Sequence, residues 1–208
     1  MVIWSAAAET LERRLLLAAV NVNGTAGNDV IDVARGSTAY VITVNGTPQE
    51  HAIGDVSAIN IFCGDGDDIV LIAANVTLGA YADGGAGNDR MVGGDGPDTF
   101  LGAAQKDVLY GGLGNDRLNG AGGNDKVLGE AGADRLYGGD GRDFIDGGSS
   151  GDRMYGGGGI DTLFGQSGND NFFTIDSLSD EVYGASGTDS GFCDSADLRA
   201  SLEHVALI

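Results

Sequence analysis

From Met91 to Phe172 an apolar residue falls at every ninth position: Met91, Phe100, Leu109, Leu118, Val127, Leu136, Ile145, Met154, Leu163 and Phe172. An aspartate stands two places before each, from Asp89 to Asp170, and a glycine opens each block, from Gly84 to Gly165. This period holds without a gap through ten blocks, Gly84 to Phe173, and it decides the architecture. Positions 7 to 9 are spaced as a short strand whose middle residue points the opposite way from its neighbours. Position 8 therefore faces inward and positions 7 and 9 outward. Two blocks close one coil with a turn on each side, so block n stacks on block n+2 about 4.8 Å away. One block cannot bury its single apolar side chain alone, and stability comes from stacking. The predicted fold class is all-β: a right-handed parallel β-roll or β-solenoid of stacked nonapeptide repeats with a β-helical N-terminal lead-in.

The flanks extend the pattern. Strand-like apolar runs occur at Val30–Val33, Tyr40–Val44, Ala58–Phe62, Ile69–Ile72 and Val76–Tyr81, with a turn signal at Asn45-Gly46. Degenerate copies at Gly24–Asp32 and Cys63–Leu71 put Asp29 and Asp68 at position 6. The second copy starts close to one coil before Gly84, which favours residues 21–83 as a lead-in continuing the stack over a small separate sandwich. Downstream, one extra residue (Thr174) keeps Ile175–Tyr183 and Gly184–Phe192 in phase, with Asp180 and Asp189 at position 6. Residues 174–208 read as degenerate repeats and a cap. That cap is either a helix presenting Leu198, Leu202 and Val205 or a closing strand in Leu202–Ile208. Residues 1–20 read as a leader or a capping helix. Their apolar run after Arg13-Arg14 is too short to span a membrane and lacks the long core of a secretory signal.

The turns suggest chemistry. Glycine at positions 1, 2 and 4 lets the chain turn tightly, which aims backbone carbonyls inward beside the aspartate. Hard oxygen donors of that kind suit calcium. The candidate metal ligands are Gly85, Gly87 and Asp89; Gly94, Gly96 and Asp98; Asp107; Gly112, Gly114 and Asp116; Gly123 and Asp125; Gly132 and Asp134; Gly139, Gly141 and Asp143; Gly148 and Asp152; Gly157, Gly159 and Asp161; Gly168 and Asp170. Gln105 at position 4, with Lys106 beside Asp107, is expected to make the weakest turn. Ser150, Glu130 and Gln166 are milder departures.

Composition agrees with this reading. The 208 residues include 38 glycines and carry 31 acids against 11 bases, a net charge of −20. Five turns on each side leave four gaps, so about eight Ca2+ ions are expected, and they would cancel most of that charge. Extracellular-type sites bind with Kd of about 10⁻⁴ to 10⁻³ M. At ten times Kd each site adds roughly 1.4 kcal/mol, and eight add on the order of 11, as much as a whole domain's stability. The segment is therefore expected to be largely unfolded without calcium. The net charge disfavours nucleic acid as a partner, and no transmembrane segment is evident.

The motif G-G-x-G-x-D-x-U-x resembles the nonapeptide of the RTX, or hemolysin-type calcium-binding, repeat family. The resemblance implies a parallel β-roll in which six residues turn and bind calcium and three form a strand. It also implies a secreted, extracellular or cell-surface setting, and such repeats often accompany a protease, lipase or epimerase domain. Leu11-Glu12-Arg13-Arg14-Leu15-Leu16-Leu17 is similar to the LEPR-type leader motif of exported planctomycete proteins, with Arg in place of its Pro. Two functions follow: a secreted structural, adhesion or export-related module without catalysis, or the non-catalytic part of a secreted enzyme. Partners would be calcium and a cell-surface polysaccharide or another surface protein.

Catalytic signals are poor. His51 and His204 are far apart, and Gly147-Gly148-Ser149-Ser150-Gly151 matches G-x-S-x-G without the strand-to-helix turn that activates such a serine. Cys63 and Cys193 sit near opposite ends of the expected stack, so two separate buried thiols are favoured over a disulfide. Three sequons, at Asn23, Asn45 and Asn75, match glycosylation acceptors. Outward positions carry Arg117, Arg135 and Arg153 beside Tyr137, Tyr155 and Phe173. Such a stripe is either a face for an acidic glycan or partner chain, or simple cation–π and ring stacking along an exposed sheet.

Overall fold

The structure, a computed structural model, describes residues 18–200, 202 and 204–207. Of the leader or capping helix expected in residues 1–20, residues 1–17 lie outside the described residues, and the last three belong to the strand Ala18–Asn23. Among those described the fold is all-β, with one 3-10 turn at Ile53–Asp55 and no α-helix.

The chain winds between two sheets. One runs Ala18–Asn23, Val56–Asp65, Ala80–Ala86, Thr99–Ala104, Arg117–Gly122, Arg135–Asp140, Arg153–Gly158, Asn171–Thr174, Ser190–Cys193 and His204–Leu207, parallel throughout. The other runs Val30–Arg35, Ile69–Ile72, Arg90–Val92, Val108–Leu113, Lys126–Ala131, Phe144–Ser149, Thr162–Ser167, Glu181–Tyr183 and Leu198–Ala200. The register follows the eighteen-residue coil: Arg117 pairs Arg135 and Arg135 pairs Arg153, with Leu118, Leu136 and Met154 in line beside them. Every position-8 residue of the ten blocks is at most 1% exposed, and burial of each side chain contributes roughly 1.5–3 kcal/mol.

The strands are longer than the repeat implied. Arg135–Asp140 covers positions 7 to 9 and then positions 1 to 3 of the next block. Parallel pairing persists there, Gly139 with Gly157 and Asp140 with Gly158. Glycines leave the ladder unobstructed at those positions, so only positions 4 to 6 make the tight turn.

The lead-in continues the same stack rather than forming a separate sandwich, since Val56–Asp65 pairs in parallel with Ala80–Ala86 and Ile69–Ile72 with Arg90–Val92. The run Tyr40–Val44 differs from expectation because it forms no rung of the coil. Ala39–Val44 folds back antiparallel on Val30–Arg35, and Thr47–Ala52 returns antiparallel on it. Asn45 (φ 49°) and Gly46 (φ 77°) are both left-handed, the two-residue hairpin conformation whose twist matches antiparallel strands. The run Val76–Tyr81 is also corrected. The strand begins only at Ala80, and Val76 is buried at a bend where its N–H donates to the Ala73 carbonyl at 2.9 Å.

At the C-terminal end the extra residue is accommodated and Asn171–Thr174 pairs with Ser190–Cys193. The segment after it forms strands Leu198–Ala200 and His204–Leu207, one closing each sheet, instead of a helix. A strand takes up the backbone groups that the last rung leaves open, which a helix would not. Cys63 and Cys193 are buried and form no disulfide. Burial, with the charges of Asp68 and Asp89, pushes the Cys63 thiol up to about 12.

Candidate metal centre: two aspartate ladders

Alternate blocks place their aspartates on opposite edges of the roll. One edge stacks Asp29, Asp68, Asp89, Asp107, Asp125, Asp143, Asp161, Asp180 and Asp197; the other stacks Asp98, Asp116, Asp134, Asp152, Asp170 and Asp189. Along each edge the backbone N–H of one aspartate donates to Oδ1 of the next. Asp116 donates to Asp134 at 2.7 Å, Asp125 to Asp143 at 2.8 Å and Asp68 to Asp89 at 2.8 Å. One carboxylate oxygen is thus spent on joining rungs.

The other oxygen is not. Oδ2 is buried without a hydrogen-bond partner at Asp68, Asp89, Asp107, Asp116, Asp125, Asp134, Asp143, Asp152, Asp161, Asp170 and Asp180. A buried carboxylate oxygen in that condition is costly unless the group is neutralised or paired. Burial accordingly raises these carboxyls from the usual 3.8, with the N–H bond to Oδ1 lowering them in part and neighbouring aspartates adding repulsion at several. Asp89, Asp134, Asp143, Asp161 and Asp170 reach about 6, and Asp107, Asp116, Asp152 and Asp180 about 7.

Backbone oxygens share the same space. A methyl group placed on Gly129 would lie 2.4 Å from Asp134 Oδ2 and 2.6 Å from the Gly147 carbonyl oxygen; on Gly138 it would lie 2.4 Å from Asp143 Oδ2 and 2.6 Å from the Gly156 oxygen. The position-4 carbonyls point into the following rung, so that of Gly123 would come within 1.5 Å of a methyl on Gly141. Among the described residues no three His, Cys, Asp or Glu side chains converge on one point. Each gap has two stacked carboxylates and its remaining donors are carbonyls, an all-oxygen set without nitrogen or sulfur. That set fits a hard divalent cation of calcium type.

Of the glycines named from the sequence, Gly85, Gly87, Gly112, Gly114, Gly123, Gly132, Gly139, Gly141, Gly148, Gly157, Gly159 and Gly168 adopt positive φ. Gly94 and Gly96 do not, and the Gly94 N–H donates to Asp98 Oδ2 at 3.0 Å. Asp98 is thereby satisfied by protein. So is Asp29, whose carboxyl is held below the usual range chiefly by the Thr25 N–H and also by the Asn45 amide. Asp197 Oδ2 likewise accepts from the Thr174 hydroxyl and the Asp194 N–H, each at 2.9 Å. Protein donors therefore cap the ladder ends at these three aspartates. Pro97 marks the Asp98 cap in sequence, while Asp197 lies where the glycine pattern has failed and has no such signal.

Sequence reasoning also missed position 5. Asn88, Asn115, Asn124 and Asn169 accept from the backbone N–H of Lys106, Ala133, Arg142 and Thr188 in the following rung. They clamp rungs in the direction opposite to the aspartates. Gln105 (φ 77°) and Ser150 (φ 83°) take the place of position-4 glycines that lie between 126° and 155°. A side chain confines them nearer the left-handed helical region, which reshapes those turns. Gln105→Gly is expected to relieve about 1 kcal/mol and lower the calcium midpoint of folding, read by circular dichroism.

The outward stripe forms in register. Rings stack from Tyr137 to Tyr155 (4.7 Å), Tyr155 to Phe173 (4.5 Å) and Phe173 to Phe192 (5.5 Å), with interplanar angles of 8° or less. The Arg117 guanidinium lies over Tyr137 at 4.7 Å. The stacking and cation–π alternative is the geometry found, and the rings offer solvent their edges rather than their faces.

A parallel β-solenoid with paired edges of buried carboxylate and carbonyl oxygens defines a metal-binding repeat roll. The family model of the RTX calcium-binding nonapeptide repeat, which describes four copies, matches residues 21–37 and, in overlapping placements, 83–118, 110–145, 119–154 and 146–174. These matches cover just over half of the chain, and the chain belongs to that family. No curated protein matches it.

Proposed function

We propose that this protein is an exported calcium-binding module of structural or adhesive role, which folds as it meets extracellular calcium and performs no catalysis. The observation that carries this reading is the row of eleven buried Oδ2 atoms without hydrogen-bond partners. Calcium would be held by the interior aspartates, Asp68 to Asp180 on one edge and Asp116 to Asp170 on the other, with turn carbonyls completing each site. Those aspartates leave six gaps on one edge and three on the other, room for the roughly eight ions that the repeat count suggests, and Asp29, Asp98 and Asp197 serve as caps. Bound calcium supplies the positive charge that the stacked carboxylates otherwise lack, so its uptake and the stacking of rungs are one event.

Other features agree. Ser149, the serine of the G-x-S-x-G match, ends a strand on the exposed surface with its hydroxyl directed to the Glu130 carbonyl at 3.4 Å. That is no nucleophile elbow. Among the described residues no helix is long and apolar enough to cross a membrane. The surface partner would be a polysaccharide or another protein.

Far-ultraviolet circular dichroism of the full chain against added calcium tests the coupling. Chelator is expected to give a disordered spectrum at neutral pH and millimolar calcium a β spectrum, with a steep transition between. A β signal already complete in chelator at neutral pH sinks the proposal.

A further inference from the structure

On the outer side of the second sheet, three cations border one groove of about 390 Å³: Lys106, Lys126 and Arg142. Val108, Phe144 and Thr162 line it with them, and Asp125 and Asp143 lie in its floor. We propose that this groove binds a linear acidic polysaccharide presenting a carboxylate to the protein at every second sugar. The proposal rests on the calcium-loaded roll proposed above and assigns that roll its partner.

The repeat does not demand the two outer cations, Lys106 and Arg142, which stand at position 5. Position 5 in other blocks is Asn, Pro, Ala, Gly or Ile. Here Asn88 and Asn124 fix the backbone of Lys106 and Arg142, while both side chains stay exposed without an ion pair among the described residues. Lys126 stands in the rung between them and packs over the Phe144 ring at 5.7 Å. On a chain of net charge −20, three adjacent cations without carboxylate partners are a feature that stability does not explain.

The spacing selects the ligand. Lys106 and Arg142 are two rungs apart, about 10 Å. A pyranose is about as long as one rung spacing, so a glycan laid along the roll axis sets Lys106 and Arg142 two sugars apart, with Lys126 in the rung between them. Val108 and Phe144, in the rungs of Lys106 and Arg142, add apolar surface to the floor. Nucleic acid carries charge too densely for so acidic a protein. The arginine stripe on the opposite sheet is the weaker candidate, because its ring faces are covered by one another and by Arg117. Calcium beside Asp125 and Asp143 would cancel the negative charge of the floor, leaving the groove cationic only in the loaded protein.

The test uses the full chain in millimolar calcium and fluorescence anisotropy of a labelled hyaluronan oligosaccharide, whose carboxylates alternate with neutral sugars, against neutral dextran of similar length. The expected result is binding to hyaluronan and none to dextran. Lys106→Ser/Lys126→Ser/Arg142→Ser should lose about tenfold or more in affinity, and Arg117→Ser/Arg135→Ser/Arg153→Ser should stay within about twofold. Calcium-induced circular dichroism of each variant reports folding independently, so failure of the glycan site is distinguishable from failure of calcium folding. If the triple variant does not fold, the exposed single change Lys106→Ser serves, with a loss of about threefold expected. No binding by the parent protein, equal binding by the groove variants, or loss confined to the arginine-stripe variant overturns the proposal.

Discussion

In chelator, the metal-free roll becomes less stable as pH is raised from about 4 to about 7, and calcium reverses the trend. The cause is the row of buried aspartates. Their folded-state pKa values stand at about 6 to 7 at Asp89, Asp107, Asp116, Asp134, Asp143, Asp152, Asp161, Asp170 and Asp180, against 3.8 unfolded. A carboxyl raised in this way binds its proton more tightly folded than unfolded. Its support for the fold is complete below the unfolded pKa and is lost as pH climbs through the folded one. A shift of two units corresponds to roughly 3 kcal/mol per site, so a handful of sites outweighs the ~5–15 kcal/mol that holds a typical domain. Calcium replaces the proton as the neutralising partner and needs the carboxylate ionised, so the loaded protein should instead weaken as pH falls below about 6. Thermal melts in chelator and in millimolar calcium at pH near 4, 5.5 and 7 measure both slopes. Parallel slopes in the two conditions would show that the aspartates do not exchange protons for metal.

Gly132→Ala is expected to be among the most damaging single substitutions. A methyl group there would lie 1.3 Å from the Gly114 carbonyl oxygen, and φ at this residue is +138°. Both the obstructing atom and the dihedral belong to backbone, so relief requires the two rungs to part. That would lengthen the Asp116–Asp134 hydrogen bond and open the gap between those carboxylates. A loss of roughly 4 kcal/mol or more is expected, with the calcium midpoint raised tenfold or further. Gly122→Ala is the control: its nearest obstruction is the Ala103 carbonyl oxygen at 3.6 Å, and a change within about 0.5 kcal/mol is expected. Calcium titrations of the two variants side by side give the comparison, and similar midpoints would refute the steric account.

The two expected results draw on different levels of information. The array's aspartates and inward apolar residues were legible because each occurs at one fixed place in a nine-residue block. Stacking then follows, since an eighteen-residue coil admits little choice of register. The fate of each aspartate's two oxygens was not legible. The N–H that Asp134 Oδ1 accepts belongs to Asp116, and only the close packing of rungs shows that Oδ2 is left over. Gly94 and Gly96 match the repeat as well as any glycine does, yet on one side their turn stacks against the bend at residues 73–79 instead of a repeat turn, and the Gly94 N–H closes on Asp98. The hairpin at Asn45-Gly46 has the same character: its turn was visible, but the antiparallel return came from the twist of a two-residue connection.

The sequence by itself determined the coil length, the sheet faces, the identity of the buried residues and the oxygen character of the turns, because periodicity acts locally and repeats. The tertiary structure alone decided which carboxylate oxygens are spent on joining rungs, which aspartates end the ladders as protein-capped groups, and where three cations meet in a groove. Each of those depends on what lies in the neighbouring rung, some eighteen residues away along the chain but about 4.8 Å away in space.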